Sequence, residues 1–157
     1  MCRSISAKIA TVAYRDSIEM SEINTELSKK LALLPHVAAR EKFNNPLFTL
    51  PFHEGLLYCE GWAVIDFGDG THLAITHGWN KTSDGQIVDV TATFLKHGMR
   101  YVAYFPVRLY TFEQVAKIVE ARKEPPFTRL HEAQAMRQAN TLAYKLDVEA
   151  NAQANIK

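Results

Sequence analysis

Cysteine is scarce: the chain has two in 157 residues, Cys2 and Cys59. A secreted scaffold of this size would carry more of them, in pairs, so both read as thiols of a reducing cytoplasm. Long apolar runs are missing too. No run approaches the roughly 20 residues that cross a bilayer, and Met1 to Tyr14 lacks the continuous apolar stretch of a secretory signal, so neither membrane nor export is expected. No excess of one charge exists either: 18 basic residues stand against 17 acidic, a net +1. A dedicated nucleic-acid binder would show a basic stripe and a high pI, so that class of partner is not expected. The six histidines form no HxH or HExxH pattern, and His72 and His77 are an odd number of residues apart, which puts them on opposite faces of a strand. Gly68 and Gly70 lie between strands rather than ahead of a helix, so they make no phosphate loop. The expectation is therefore no metal and no cofactor.

What remains is an ordinary globular composition, 47% apolar and 22% charged, in a chain of one-domain length. Such a chain buries roughly two thirds of its unfolded surface and needs no staple. Residues 1–50 read as mainly helical. Asp16 with Glu19 forms a capping box, and Ile23, Leu27, Leu31 and Leu34 then repeat at helical spacing. Lys8 to Tyr14 suits helix or strand equally. Pro35 ends that helix or starts a short second one through Phe43, and Pro46 to Gly55 reads as a loop. Residues 55–110 read as an antiparallel meander. Leu56 to Phe67 alternates with period two, Gly68-Asp69-Gly70 turns it, and His72 to Trp79 returns. After Thr82 to Gly85 comes a third strand, Gln86 to Thr91, and a fourth follows from Arg100 to Leu109, with Pro106 at a sheet edge or bulge. Residues 111–157 are helical again, with Thr111 and Gln114 as a capping box, a break at Pro125-Pro126, Thr128 as the next cap, and a fraying tail from Ala150 to Asn155. Helices, strands, then helices imply one α+β domain: an antiparallel sheet of about four strands flanked by N- and C-terminal helices.

Three consecutive strands each carry one member of a set that can perform acyl transfer: Cys59, His77 and Asp89. A thiol needs a base to become thiolate, and the base needs an orienting partner. If Phe67 pairs with Thr71, Gly61 falls opposite His77 and Cys59 opposite Trp79, so thiol and imidazole are diagonal neighbours on one face. If the next hairpin also pairs odd with odd, Asp89 joins them; a one-residue slip sends it to the other face. Each residue also has a plain alternative. Cys59 fits a buried free thiol, His77 a half-buried strand histidine, and Asp89 an acceptor at a strand end. Trp62, Trp79, Tyr101, Tyr104 and Phe105 fit core packing. Glu60 fits a solvated edge, a partner of Arg100 or Arg108, or the acid of a site. With a nucleophile in place, Glu60 and Trp79 are the candidates to contact substrate, the Trp79 indole or backbone N–H groups serving the oxyanion.

The stretches Tyr58 to Ala63 (YCEGWA), His77 to Asn80 (HGWN), Asp89 to Thr91 (DVT) and Tyr104 to Val107 (YFPV) together resemble the β-half of transglutaminase-like proteins, members of the broad papain-like cysteine-enzyme fold with small bacterial and phage representatives. They span about a third of the chain. The resemblance implies a reduced transglutaminase-like core, with His77 as catalytic base and Asp89 as its orienting acid. It implies thiol-dependent acyl transfer or amide hydrolysis on a protein or peptide carboxamide. Three departures stand out. Gly78 replaces the usual Ala, Val90 replaces Pro, and the family's nucleophile sits at the start of an upstream helix, where the dipole favours thiolate. Cys59 lies inside a strand instead, and the sole upstream cysteine is Cys2. Either sulfur serves as the nucleophile, or the chain is a catalytically inactive protein-binding module, such as a phage factor acting on a host protein. Its contact surface would then be the aromatic stretch Tyr101 to Phe105 or the C-terminal helix.

Overall fold

The structure is a computed structural model that describes residues 23–123 and 133–156. Its centre is a four-stranded antiparallel sheet in the order β3-β2-β1-β4, with β1 Leu57–Asp66, β2 His72–Lys81, β3 Ile87–Val88 and β4 Arg100–Tyr110. Helices stand on the N-terminal side, α1 Thr25–Ala32 and α2 Asn45–Thr49, and on the C-terminal side, α3 Phe112–Arg122 and α4 Ala133–Ala154. The fold is α+β, as the element order implies.

The β1–β2 register follows from the turn. Phe67 N–H donates to the Thr71 carbonyl at 3.1 Å, with Gly68 and Gly70 at φ 80° and 90°, the left-handed region that glycine enters without cost. Gly61 then faces His77 and Cys59 faces Trp79, as expected. The second hairpin pairs Asn80 with Val88 and Lys81 with Ile87, odd with odd. The third strand is far shorter than expected, because the backbone after Val88 turns into a 3₁₀ segment, Thr91–Phe94. Nor is the sheet a simple meander: the chain crosses from β3 to the opposite edge, where β4 pairs with β1. That edge position accommodates Pro106, which stands at a register shift opposite Gly61.

The helices differ in detail from the sequence reading. The helix carrying Leu27 and Leu31 starts at Asn24, whose side chain accepts from Leu27 N–H; Ile23 is outside it, bridged to Ile87. The expected cap at Asp16 and Glu19 and the segment Lys8 to Tyr14 lie outside the described residues, as do Pro125-Pro126 and Thr128. The expected loop after Pro46 is instead α2 followed by a 3₁₀ turn, Leu50–Phe52. Proline favours a first helical turn, where its missing N–H is no loss. The capping box of Thr111 and Gln114 forms as expected, and α4 continues to Ala154 through the Ala/Gln-rich stretch expected to fray, these being good helix formers.

Both faces of the sheet are covered. One packs Val64, Ala74, Ala103 and Phe105 against Ala139, Leu142 and Ala143 of α4. The other holds Cys59, Ala63, Trp79, Ile87, Tyr101 and Tyr104 beneath the 89–99 segment. A third cluster joins Leu31 of α1, Leu50, Leu56, Tyr58, Val88, Val90 and Val115 of α3. No helix among the described residues is long and apolar enough to cross a membrane.

Candidate active site around His77 and Asp89

His77 enters from the middle of β2 and Asp89 from the residue after β3. The two side chains meet on the Cys59 face: Nε2 of His77 lies 2.7 Å from Oδ2 of Asp89, both groups buried. Asp89 is heavily committed. Its Oδ1 accepts the N–H of Thr91 at 3.0 Å and of Ala92 at 3.2 Å, opening the 3₁₀ segment as Asp commonly does at turns. Its Oδ2 accepts the hydroxyl of Tyr104 at 2.9 Å. Because a carboxylate only accepts, the short contact to His77 puts a hydrogen on Nε2, and in the neutral imidazole the lone pair is then on Nδ1. Nδ1 has no hydrogen-bond partner among the described residues.

The loop is pinned from several sides. Ser28 of α1 accepts the Asp89 N–H at 3.0 Å and donates to the Asn24 carbonyl at 2.7 Å. Thr91 accepts from Asn45 Nδ2 at 2.9 Å. Asn80 accepts from Thr49 at 2.7 Å and donates to the Pro46 carbonyl at 2.8 Å. The Asn of HGWN and the Thr of DVT are thus ties that hold the α2 segment to the sheet and to the Asp89 loop. Lys42 Nζ donates to the Thr76 carbonyl at 2.6 Å, beside His77, and burial lowers its pKa. Two of the three departures lie beside this site, at Gly78 and Val90. A Cβ on Gly78 would lie 2.8 Å from the Lys42 carbonyl oxygen, and Val90, at φ −68°, a value proline shares, gives its side chain to the core.

Aromatic rings enclose the imidazole. Tyr101 lies 4.4 Å from it between centroids, Trp79 is stacked at 6.0 Å, and Tyr104 is at 6.2 Å. Burial, the nearby Asp89 charge and, for Tyr104, its hydrogen bond to Asp89 raise both tyrosine pKa values, so both stay protonated.

The other candidate residues are placed differently. Cys59 shares the face of His77, but among the described residues its thiol reaches only the Glu60 carbonyl, at 4.0 Å. The Trp79 ring passes over Gly61, the residue opposite His77, where a Cβ would lie 2.9 Å from Cη2. Burial, first, drives the Cys59 pKa upward, against thiolate. Trp79 is buried with its Nε1 unpartnered among the described residues. Glu60 points to the opposite face, where Tyr58 donates to it at 3.0 Å; burial and Glu60 together raise the Tyr58 pKa. The structure therefore brings His77, Asp89 and Trp79 together and leaves Cys59 unbonded to the imidazole and Glu60 behind the sheet. The sequence reading missed Tyr104 as a hydrogen-bond donor; it shares the His77 face with Tyr101, three residues away, because the β1–β4 register shifts between Val64 and Ile65. It also missed Ser28 and Asn45, which no local pattern marks.

Among the described residues no three of His, Cys, Asp and Glu gather as metal ligands would. No family model matches the chain, and no curated protein or solved structure matches it.

Proposed function

We propose that His77 and Asp89 are the proton-transfer half of an acyl-transfer or amide-hydrolysing centre acting on a protein or peptide carboxamide, the chemistry implied by the transglutaminase-like motifs. One observation carries this: Asp89 holds the imidazole through Nε2, and Nδ1 has no hydrogen-bond partner among the described residues. An imidazole fixed in that way can take a proton from an attacking group and return it to leaving ammonia, while Asp89 stabilises the imidazolium between the two steps. Tyr104 completes the support of Asp89. Cys59 is a poor nucleophile here, since its neutral form is favoured and nothing links it to the base. The remaining thiol of the chain is Cys2, which lies outside the described residues.

Ammonia release from glutamine-containing peptides tests the centre. Thiol-dependent turnover through this pair predicts loss with His77→Ala and Cys2→Ser and little change with Cys59→Ser. No release from any such peptide by natively folded protein contradicts it. A second function, a catalytically inactive protein-binding module, is favoured by the complete burial of both His77 and Cys59. In that case His77→Ala lowers stability and alters no turnover.

A further inference from the structure

Outside the buried pair the surface opens into two hollows that share Leu95, Lys96 and Tyr101. The larger, about 630 Å³, runs from Ser28 and Lys29 past Asp89 to Arg100. The smaller, about 460 Å³, runs from Arg40 and Lys42 past Thr91 to Phe94. Both volumes suit bound side chains or small ligands. Tyr101 walls both, and its ring is the one packed 4.4 Å from His77. The linings are apolar at Ile23, Leu95 and Met99 and cationic at Lys29, Arg40, Lys96 and Arg100, with Asp89 the sole carboxylate among the residues that line them. The Asp89 oxygens are already occupied by donors. The whole chain is close to neutral at +1, so this concentration of cations is local. Arg100 is shared with Asp66 at 3.4 Å, whereas no ion pair among the described residues takes up Lys29, Arg40 or Lys96.

We propose that the two hollows form one groove for an acidic peptide segment, whose carboxamide is delivered past Tyr101 to His77; the delivery rests on the acyl-transfer function above, the peptide binding does not. Carboxylates flanking the reacting residue meet the lysines and arginine of the rim, which steer them in and fix their register. The apolar lining takes the aliphatic parts of the same segment. A phosphate backbone would call for a continuous basic track with exposed stacking rings. Here apolar residues interrupt the cations along the groove, and Tyr101, the ring that walls it, is buried against the imidazole.

Fluorescence anisotropy on the full chain tests the groove, with three fluorescein-labelled probes: a short Glu/Gly peptide around one Gln, the same peptide with Lys for Glu, and a single-stranded oligonucleotide. The Glu peptide is expected to bind at least about tenfold tighter than the Lys peptide, and more weakly as salt rises. Lys29→Glu combined with Lys96→Glu is expected to cost at least about tenfold, while Lys145→Glu, on the solvent face of α4, changes nothing. Equal binding of the two peptides, an unaffected double variant, or tighter binding of the oligonucleotide overturns the groove. Tight binding of the Glu peptide with no ammonia released contradicts acyl transfer and keeps the groove. Equal release from both peptides does the reverse.

Discussion

Tyr104 gives its hydroxyl to a buried carboxylate that also serves His77, so removing one oxygen tests how the pair is held. Tyr104→Phe keeps the ring in the core and leaves Asp89 Oδ2 with His77 alone. The expected cost is about 1–2 kcal/mol in urea unfolding, with a change in the pH profile of any turnover. A purely packing tyrosine would show neither. Cys59 makes the opposite kind of case. Its thiol is buried and its pKa raised by that burial, so iodoacetamide should leave it unmodified in the native protein through the range near pH 8.5, where an ordinary thiol ionises. It should be modified fully once urea unfolds the chain, and peptide mass spectrometry reads both states. Rapid native alkylation of Cys59 near neutral pH would return it to the list of nucleophiles.

The hairpin is the element that decides the site. Two glycines let it pack: Gly61 leaves room for the Trp79 ring, and Gly78 for the Lys42–Phe43 backbone. A Cβ at Gly61 would overlap the Phe105 carbonyl oxygen across the β1–β4 bulge. Gly61→Ala is therefore expected to lose about 3 kcal/mol, at the upper end for overpacking, and Gly78→Ala somewhat less, both read by urea midpoints. Parental midpoints for both would mean that the strands pack otherwise. The same hairpin was legible in the sequence: a two-residue period and a Gly-Asp-Gly turn mark it, and the supposed pairing of Phe67 with Thr71 gives the register found. The facing of His77, Gly61, Cys59 and Trp79 follows from it. What was illegible depends on contacts distant in sequence. The shortness of β3 reflects Asp89 turning its own N–H neighbours inward. The swing of β4 to the far edge reflects how the 89–99 segment covers the His77 face. The α2 helix is held by Asn80 and Thr91, residues of other elements. The pairing of His77 with Asp89 was foreseen as one of two registers, and Ser28 and Asn45 only appear once that register is built.

For the molecule as a whole, four buried acids set the alkaline limit. Cys59, Tyr58, Tyr101 and Tyr104 all have pKa values raised in the fold. The unfolded chain ionises at the ordinary values, about 8.5 for the thiol and about 10 for the phenols, while the native protein keeps those protons. The unfolded state then binds fewer protons, so their stabilisation is complete below about pH 8.5 and falls as pH rises. The slope approaches about 1.4 kcal/mol per pH unit for each group. Lys42, lowered by burial, works in the opposite sense, but as one group against four. Thermal midpoints should therefore drop steeply from pH 9 to 11 (about the range those reference values define); a flat profile would mean the phenols ionise freely in the native state. The claim on which the proposed chemistry rests is the state of one imidazole, and nitrogen NMR of histidine-labelled protein reads it directly. His77 should show a protonated Nε2 and a bare Nδ1, and its signals should move markedly in Asp89→Asn but hardly in Cys59→Ser. A hydrogen on Nδ1, or resonances indifferent to Asp89, would contradict the account.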